Sequence, residues 1–149
     1  MADGFLSNDA KLRLGTGFDW TTANVRLLLI DAASGYVPDP YAVFVAEVAG
    51  FELSTDNYAR QDVTDRTVSK DDTANVARWH ASGPVLADLG PGSGGPNVGG
   101  AWLFEEGISP DDSVDRLLVW LPDVVGPTNG TDWTVSLPVA GVVLFRAPV

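Results

Sequence analysis

The chain has 149 residues, 45% hydrophobic and 19% charged, with nine basic against twenty acidic side chains and a formal charge of −11. This length predicts one domain able to bury a substantial core, and the low charged fraction with five tryptophans excludes a disordered chain. The basic residues are scattered singly from Lys11 to Arg146, which argues against nucleic acid as a partner. The acidic balance suits solubility, repulsion between free copies, or docking to a basic surface.

The first residues carry no basic stretch followed by an apolar one, so no secretory signal is expected. No apolar run approaches the ~20 residues of a membrane helix. Cysteine is absent, which rules out a disulfide framework and fits assembly in a reducing cytoplasm.

Residues 1–20 read as an extended N-terminal arm. Gly4, Gly15 and Gly17 mix there with isolated apolar residues and no sustained period. From residue 21 to 149 the chain reads as a single domain of short strands separated by turn chemistry. Candidate strands cover 25–30, 41–48, 63–69, 74–79, 101–105, 116–121, 131–137 and 142–146. Turn signals fall at Ser34-Gly35, Pro38-Asp39-Pro40, Asp71-Asp72, Gly83-Pro84, 90–100, Gly126-Pro127 and Asn129-Gly130. About eight strands at this spacing predict an all-β antiparallel sandwich, jelly-roll or immunoglobulin-like. Asn129-Gly130 is suited to a type I′ hairpin. The one helix signal, Ser109-Pro110-Asp111-Asp112, supports a single turn.

Strand texture separates two environments. Trp133, Val135 and Leu137 alternate with polar residues, as on a half-solvated face. Residues 117–121 and 142–145 are apolar at every position. Such strands in an antiparallel sheet are covered on both faces, by a loop, the N-terminal arm or another protein.

Few groups invite chemistry. The glycine-rich stretch 90–100 lacks a following Lys-Ser/Thr pair, and Pro91 and Pro96 remove amide donors, so it reads as a surface loop rather than a phosphate cradle. His80 is the only histidine; it has no fellow His or Cys to form a metal site and no nucleophile elbow nearby. Asp71-Asp72 and Asp111-Asp112-Asp115 lack the spacing of a calcium loop and read as turn and cap residues. Glu105 and Glu106 are adjacent on a strand and point to opposite faces, which excludes a glycosidase pair. Asn129-Gly130-Thr131 matches a glycosylation pattern but reads as a turn. The sequence thus predicts no catalytic residue, metal or cofactor.

Residues 25–146 taken together resemble a family of small all-β virion proteins of tailed bacteriophages. The likeness runs from the apolar strand at 25–30 through the turn at 34–38, the tyrosine-bearing segment 52–58 and the strands at 65–69 and 75–79. It continues through the core strands at 101–104 and 117–120 to the closing segment 129–144. The motifs are structural, and the chain departs from the pattern in its long N-terminal arm and its glycine-proline stretch.

The resemblance implies a non-enzymatic virion structural protein, assembled in the host bacterial cytoplasm. Its expected role is capsid decoration: binding the major capsid protein or other virion proteins, as a homo-oligomer in the particle, without nucleic acid or membrane. Phe5, Leu6, Leu12, Leu14 and Phe18 are the candidate interface, and deletion of 1–17 is expected to leave the fold intact. A tail or fibre-base adaptor is the alternative. A carbohydrate-binding module follows only if two or more of Trp79, Trp102, Trp120 and Trp133 lie exposed on one face.

Overall fold

The computed structural model describes residues 4–146. In chain order these form β1 (Phe5–Leu6), α1 (Asn8–Leu14), β2 (Val25–Asp31), β3 (Gln61–Asp62), β4 (Thr64–Asp71), β5 (Val76–Ser82), β6 (Val85–Leu89), β7 (Asn97–Glu105), β8 (Arg116–Pro127), β9 (Thr131–Thr134) and β10 (Val143–Arg146). The sheets are antiparallel and the architecture is an all-β sandwich.

The strands richest in consecutive apolar residues take the centre. β2, β7 and β8 lie side by side in a five-stranded sheet of order β1-β8-β7-β2-β3. Such strands present an apolar row to each face, and both rows are buried. On one face Leu27, Leu29, Leu103, Val119 and Leu121 pack against Trp79, Leu86, Leu89, Val135 and Val143. These come from, or lie beside, the sheets β10-β5-β4 and β6-β9. On the other face Leu28, Ile30, Trp102, Phe104, Leu117 and Trp120 meet Ala42, Val45 and Val48, with Tyr36 and Phe51 packed around them.

The second cover is coil, and here the structure corrects the strand expected at 41–48. The Glu47 carboxylate accepts from the amides of Val43 and Phe44, both at 2.7 Å. Two short 3-10 turns follow, Val45–Glu47 and Ala49–Phe51. Only Phe44 keeps an isolated bridge, to Arg116. A side chain bonding its own local backbone draws these residues out of a ladder despite their β-branched composition. The cover is fastened where Trp102 Nε1 donates to the Tyr36 hydroxyl at 2.8 Å.

The N-terminal stretch is part of the body. Phe5 and Leu6 pair with Trp120 and Val119 as the edge strand of the large sheet. The buried Ser7 caps α1 by accepting from the Ala10 amide at 3.0 Å, and its hydroxyl donates to the Leu117 carbonyl at 2.9 Å. Trp20 lies stacked on Trp79, with ring centroids 4.9 Å apart, and donates to the His80 carbonyl.

The single turn expected at 109–112 is present at 111–115, where Val114 N and Asp115 N donate to the Asp111 carbonyl in a loop held by the Asp115 side chain. Two further turn expectations change. Asn129-Gly130 closes no hairpin between neighbours, because β9 crosses from β8 to pair with β6. The Gly130 amide then donates to Leu89. The glycine-rich stretch is a loop only as far as Pro96, after which β7 begins.

Candidate functional site

A groove of about 530 Å³ opens beside the edge strand β1. Its floor is built by the same alternation that makes the core: Leu6 from β1, Val119, Leu121 and Val124 from β8, and Val143 at the start of β10. The far wall is irregular chain, with Pro138, Ala140 and Gly141. Pro122 and Pro138 cannot donate to a ladder, so regular pairing stops on both sides and leaves the channel between. Lys11 and Asp123 stand at the rim as one charge of each sign. Contact with β1 is close: a Cβ on Gly4 would come within 2.7 Å of the Trp120 carbonyl oxygen. The arrangement offers apolar surface and backbone polar groups, suited to binding a chain segment rather than polarising a bond.

The structure separates the five predicted interface residues. Phe5 and Leu6 both line the groove. They also serve the body: Phe5 meets Trp102 edge-on at 5.6 Å, and Leu6 packs on the first core. Leu14 and Phe18 pack on that core as well, with Phe18 beneath the Arg13 guanidinium. Leu12 remains exposed. Deleting 1–17 would remove an edge strand and the buried Ser7 and Ala10, so the expectation that such a truncation leaves the fold intact is corrected. Of the groove's other walls, Val119, Leu121 and 142–144 lie in the two runs that sequence marked as apolar throughout, whereas 122–124 and 136–141 carried no such signal.

The other candidates find structural roles. His80 Nε2 lies 2.8 Å from Ser69 Oγ on the outer surface of β4 and β5. Glu105 and Glu106 pair with Arg13 and Arg26 respectively. Asp71 accepts from the amides of Thr73 and Ala74 in its turn. Trp79, Trp102 and Trp120 are buried, and Trp133 is half-buried; the conditional stacking platform is therefore absent among these four. Among the described residues no group of three or more His, Cys, Asp or Glu is placed to hold a metal, and no helix is long and apolar enough to cross a membrane.

Electrostatics explain how the acidic surplus reaches the surface. Arg13, Arg26, Arg60, Arg78, Arg116 and Lys70 each pair with at least one carboxylate. Arg66 is spent on the carbonyls of Trp20, Val63 and Ala23. Arg60 bridges Glu52 at 2.7 Å and Asp112 at 2.6 Å, with its guanidinium over the Phe104 ring. The Arg60 hydrogen bond holds the Asp112 carboxyl below the usual carboxylate range. Burial, then the neighbouring Glu52 carboxylate, pushes the Tyr58 phenol well above its ordinary value.

Compared with family models, curated proteins and solved structures, the chain matches none.

Proposed function

We propose that the protein is a non-enzymatic virion structural protein of a tailed bacteriophage, decorating the outer capsid shell and adding to particle stability. The observation that carries this reading is the apolar groove between β1, β8 and residues 138–144. The groove lies on a body where Arg13, Arg26, Arg60, Arg78 and Arg116 are paired with carboxylates and whose surplus charge is negative. Its occupant is an extended segment of a shell protein. Free copies carrying −11 each repel one another, so they gather as symmetric oligomers only when a partner surface collects them. Repetition over a shell then turns weak individual docking into a strong aggregate effect. The sequence resemblance to small virion proteins supports the same reading.

A reconstruction of particles from cells making this chain with the other virion proteins of its genome tests the proposal. Many symmetric copies on the outer shell, lost when Ala140→Trp fills the groove, are expected. Density confined to the tail base would favour an adaptor instead, and particles without the chain would overturn both.

A further inference from the structure

Two loops share one end of the molecule and hold apolar side chains out into solvent. Residues 107–114 and 39–47 are joined backbone to backbone, with Val45 N donating to the Asp115 carbonyl at 3.0 Å and Ala46 N to that of Asp112 at 2.8 Å. Ile108 is fully exposed, Tyr41 is 75% exposed and Val114 56% exposed. A lone exposed apolar residue needs no explanation, but several gathered on two linked loops do.

The first loop is rigid from within. Asp115, buried, accepts from Gly107 N at 2.9 Å and Asp111 N at 3.1 Å. Val114 N and Asp115 N in turn donate to the Asp111 carbonyl. Ile108 is thus presented on a frame ordered before any partner arrives, which lowers the entropic cost of docking.

Charge selects the partner. Asp39, Glu47 and Asp111 stand among these apolar residues and accept only from amides and hydroxyls. The two flanking cations are already committed, Arg60 to Glu52 and Asp112 and Arg116 to Asp9. A second copy of this chain, a nucleic acid or an anionic bilayer would each meet repulsion. A protein surface bearing Lys or Arg around an apolar pocket would not.

We infer that this end is a second docking surface, distinct from the groove, on which Ile108 and Tyr41 enter apolar pockets of a basic partner protein while Asp39, Glu47 and Asp111 face its cations. The surface stands whether or not that partner is a capsid protein.

The test uses the full isotope-labelled chain titrated with a synthetic peptide of alternating leucine and lysine, and with its leucine-glutamate counterpart. Backbone resonance shifts confined to 39–47 and 107–114 are expected with the lysine peptide. Ile108→Asp should weaken binding about tenfold. The double variant Asp39→Asn with Asp111→Asn keeps the amide-accepting oxygens while losing the charge, and should weaken binding several-fold and flatten its salt dependence. Equal affinity after Ile108→Asp would overturn the assignment. So would shifts centred on the groove, equal binding of the glutamate peptide, or tighter binding to vesicles of anionic lipid. Loss of particle occupancy in Ala140→Trp with peptide binding intact would separate this surface from the groove.

Discussion

The two faces of the central sheet are buried by different means. One is covered by further strands, whose backbone groups bond to one another and whose side chains are largely aliphatic. The other is covered by residues 36–51, a coil with two 3-10 turns, over a core dominated by Trp102, Trp120, Phe104, Tyr36 and Phe51. A layer of strands is held by its own ladder. A coil has no ladder, so it needs large rings to bury area and specific polar ties to hold its course. Aromatic residues meet both needs, since a ring buries much surface and Tyr or Trp brings a hydrogen-bonding group along with it. The coil-covered face is therefore expected to open at lower free energy than the strand-covered one. Hydrogen exchange at 45–51 preceding that at the strand-covered amides of 77–81 would show it.

The largest break in this asymmetry is Trp102→Ala, which empties the middle of the aromatic core. It should lower unfolding free energy by about 3–5 kcal/mol in a urea titration. Arg60→Ala comes next, because it releases Glu52 and Asp112 together and uncovers Phe104. The Arg60 side chain is 23% exposed, so about 2 kcal/mol is expected rather than the full cost of breaking a buried pair.

That same variant carries a pH signature. Asp112 lies below its ordinary range in the folded protein. Its contribution is therefore complete above the unfolded carboxylate value of about 3.9 and lost as pH falls through the lower folded value. Without Arg60 the acid-side loss of stability should become shallower, as measured by unfolding at successive pH values.

Tyr36→Phe keeps the ring but leaves the buried Trp102 Nε1 without its acceptor, and should cost about 1–2 kcal/mol. Leu12→Ser is the control. Its side chain is exposed while Leu6 and Leu14 are not, so stability should change by no more than about 0.5 kcal/mol. A large loss there would mean that the N-terminal helix is packed more deeply than the structure shows.

How much of this was legible depended on whether local and tertiary signals agreed. Residues 117–121, apolar throughout, correctly announced a strand covered on both faces. The alternating pattern at 131–137 likewise announced β9, which ends earlier, at Thr134, but not its partner, since strand order is set by distant residues. The segment 41–48 misled because its Tyr, Val and Phe content favours strands, while the decisive group was one carboxylate at Glu47. Helix α1 was missed behind Gly15 and Gly17, although Ser7 with Asp9 behind it and Lys11 and Arg13 near the end form a readable cap and charge order. Strand β6 was hidden after Gly83-Pro84, where a Cβ on Gly83 would fall 1.8 Å from the Val135 carbonyl oxygen; only the neighbouring strand reveals why glycine sits there. Of the groove, sequence pointed to Phe5 and Leu6 and to the apolar runs 117–121 and 142–145, but not to 122–124 and 136–141, nor to the meeting of all these segments, which only folding brings about.

Trp20 lies face to face with Trp79, their planes 7° apart, and Trp102 lies 5.6 Å from Trp120 across the sheet. Each side of the central sheet thus owns a close indole pair, and such proximity couples the two rings' transitions in circular dichroism. Replacing one member of either pair by phenylalanine should remove that pair's couplet and leave the other pair's to follow its own half of the molecule. The protein carries, without any added dye, an optical handle on which layer loosens first.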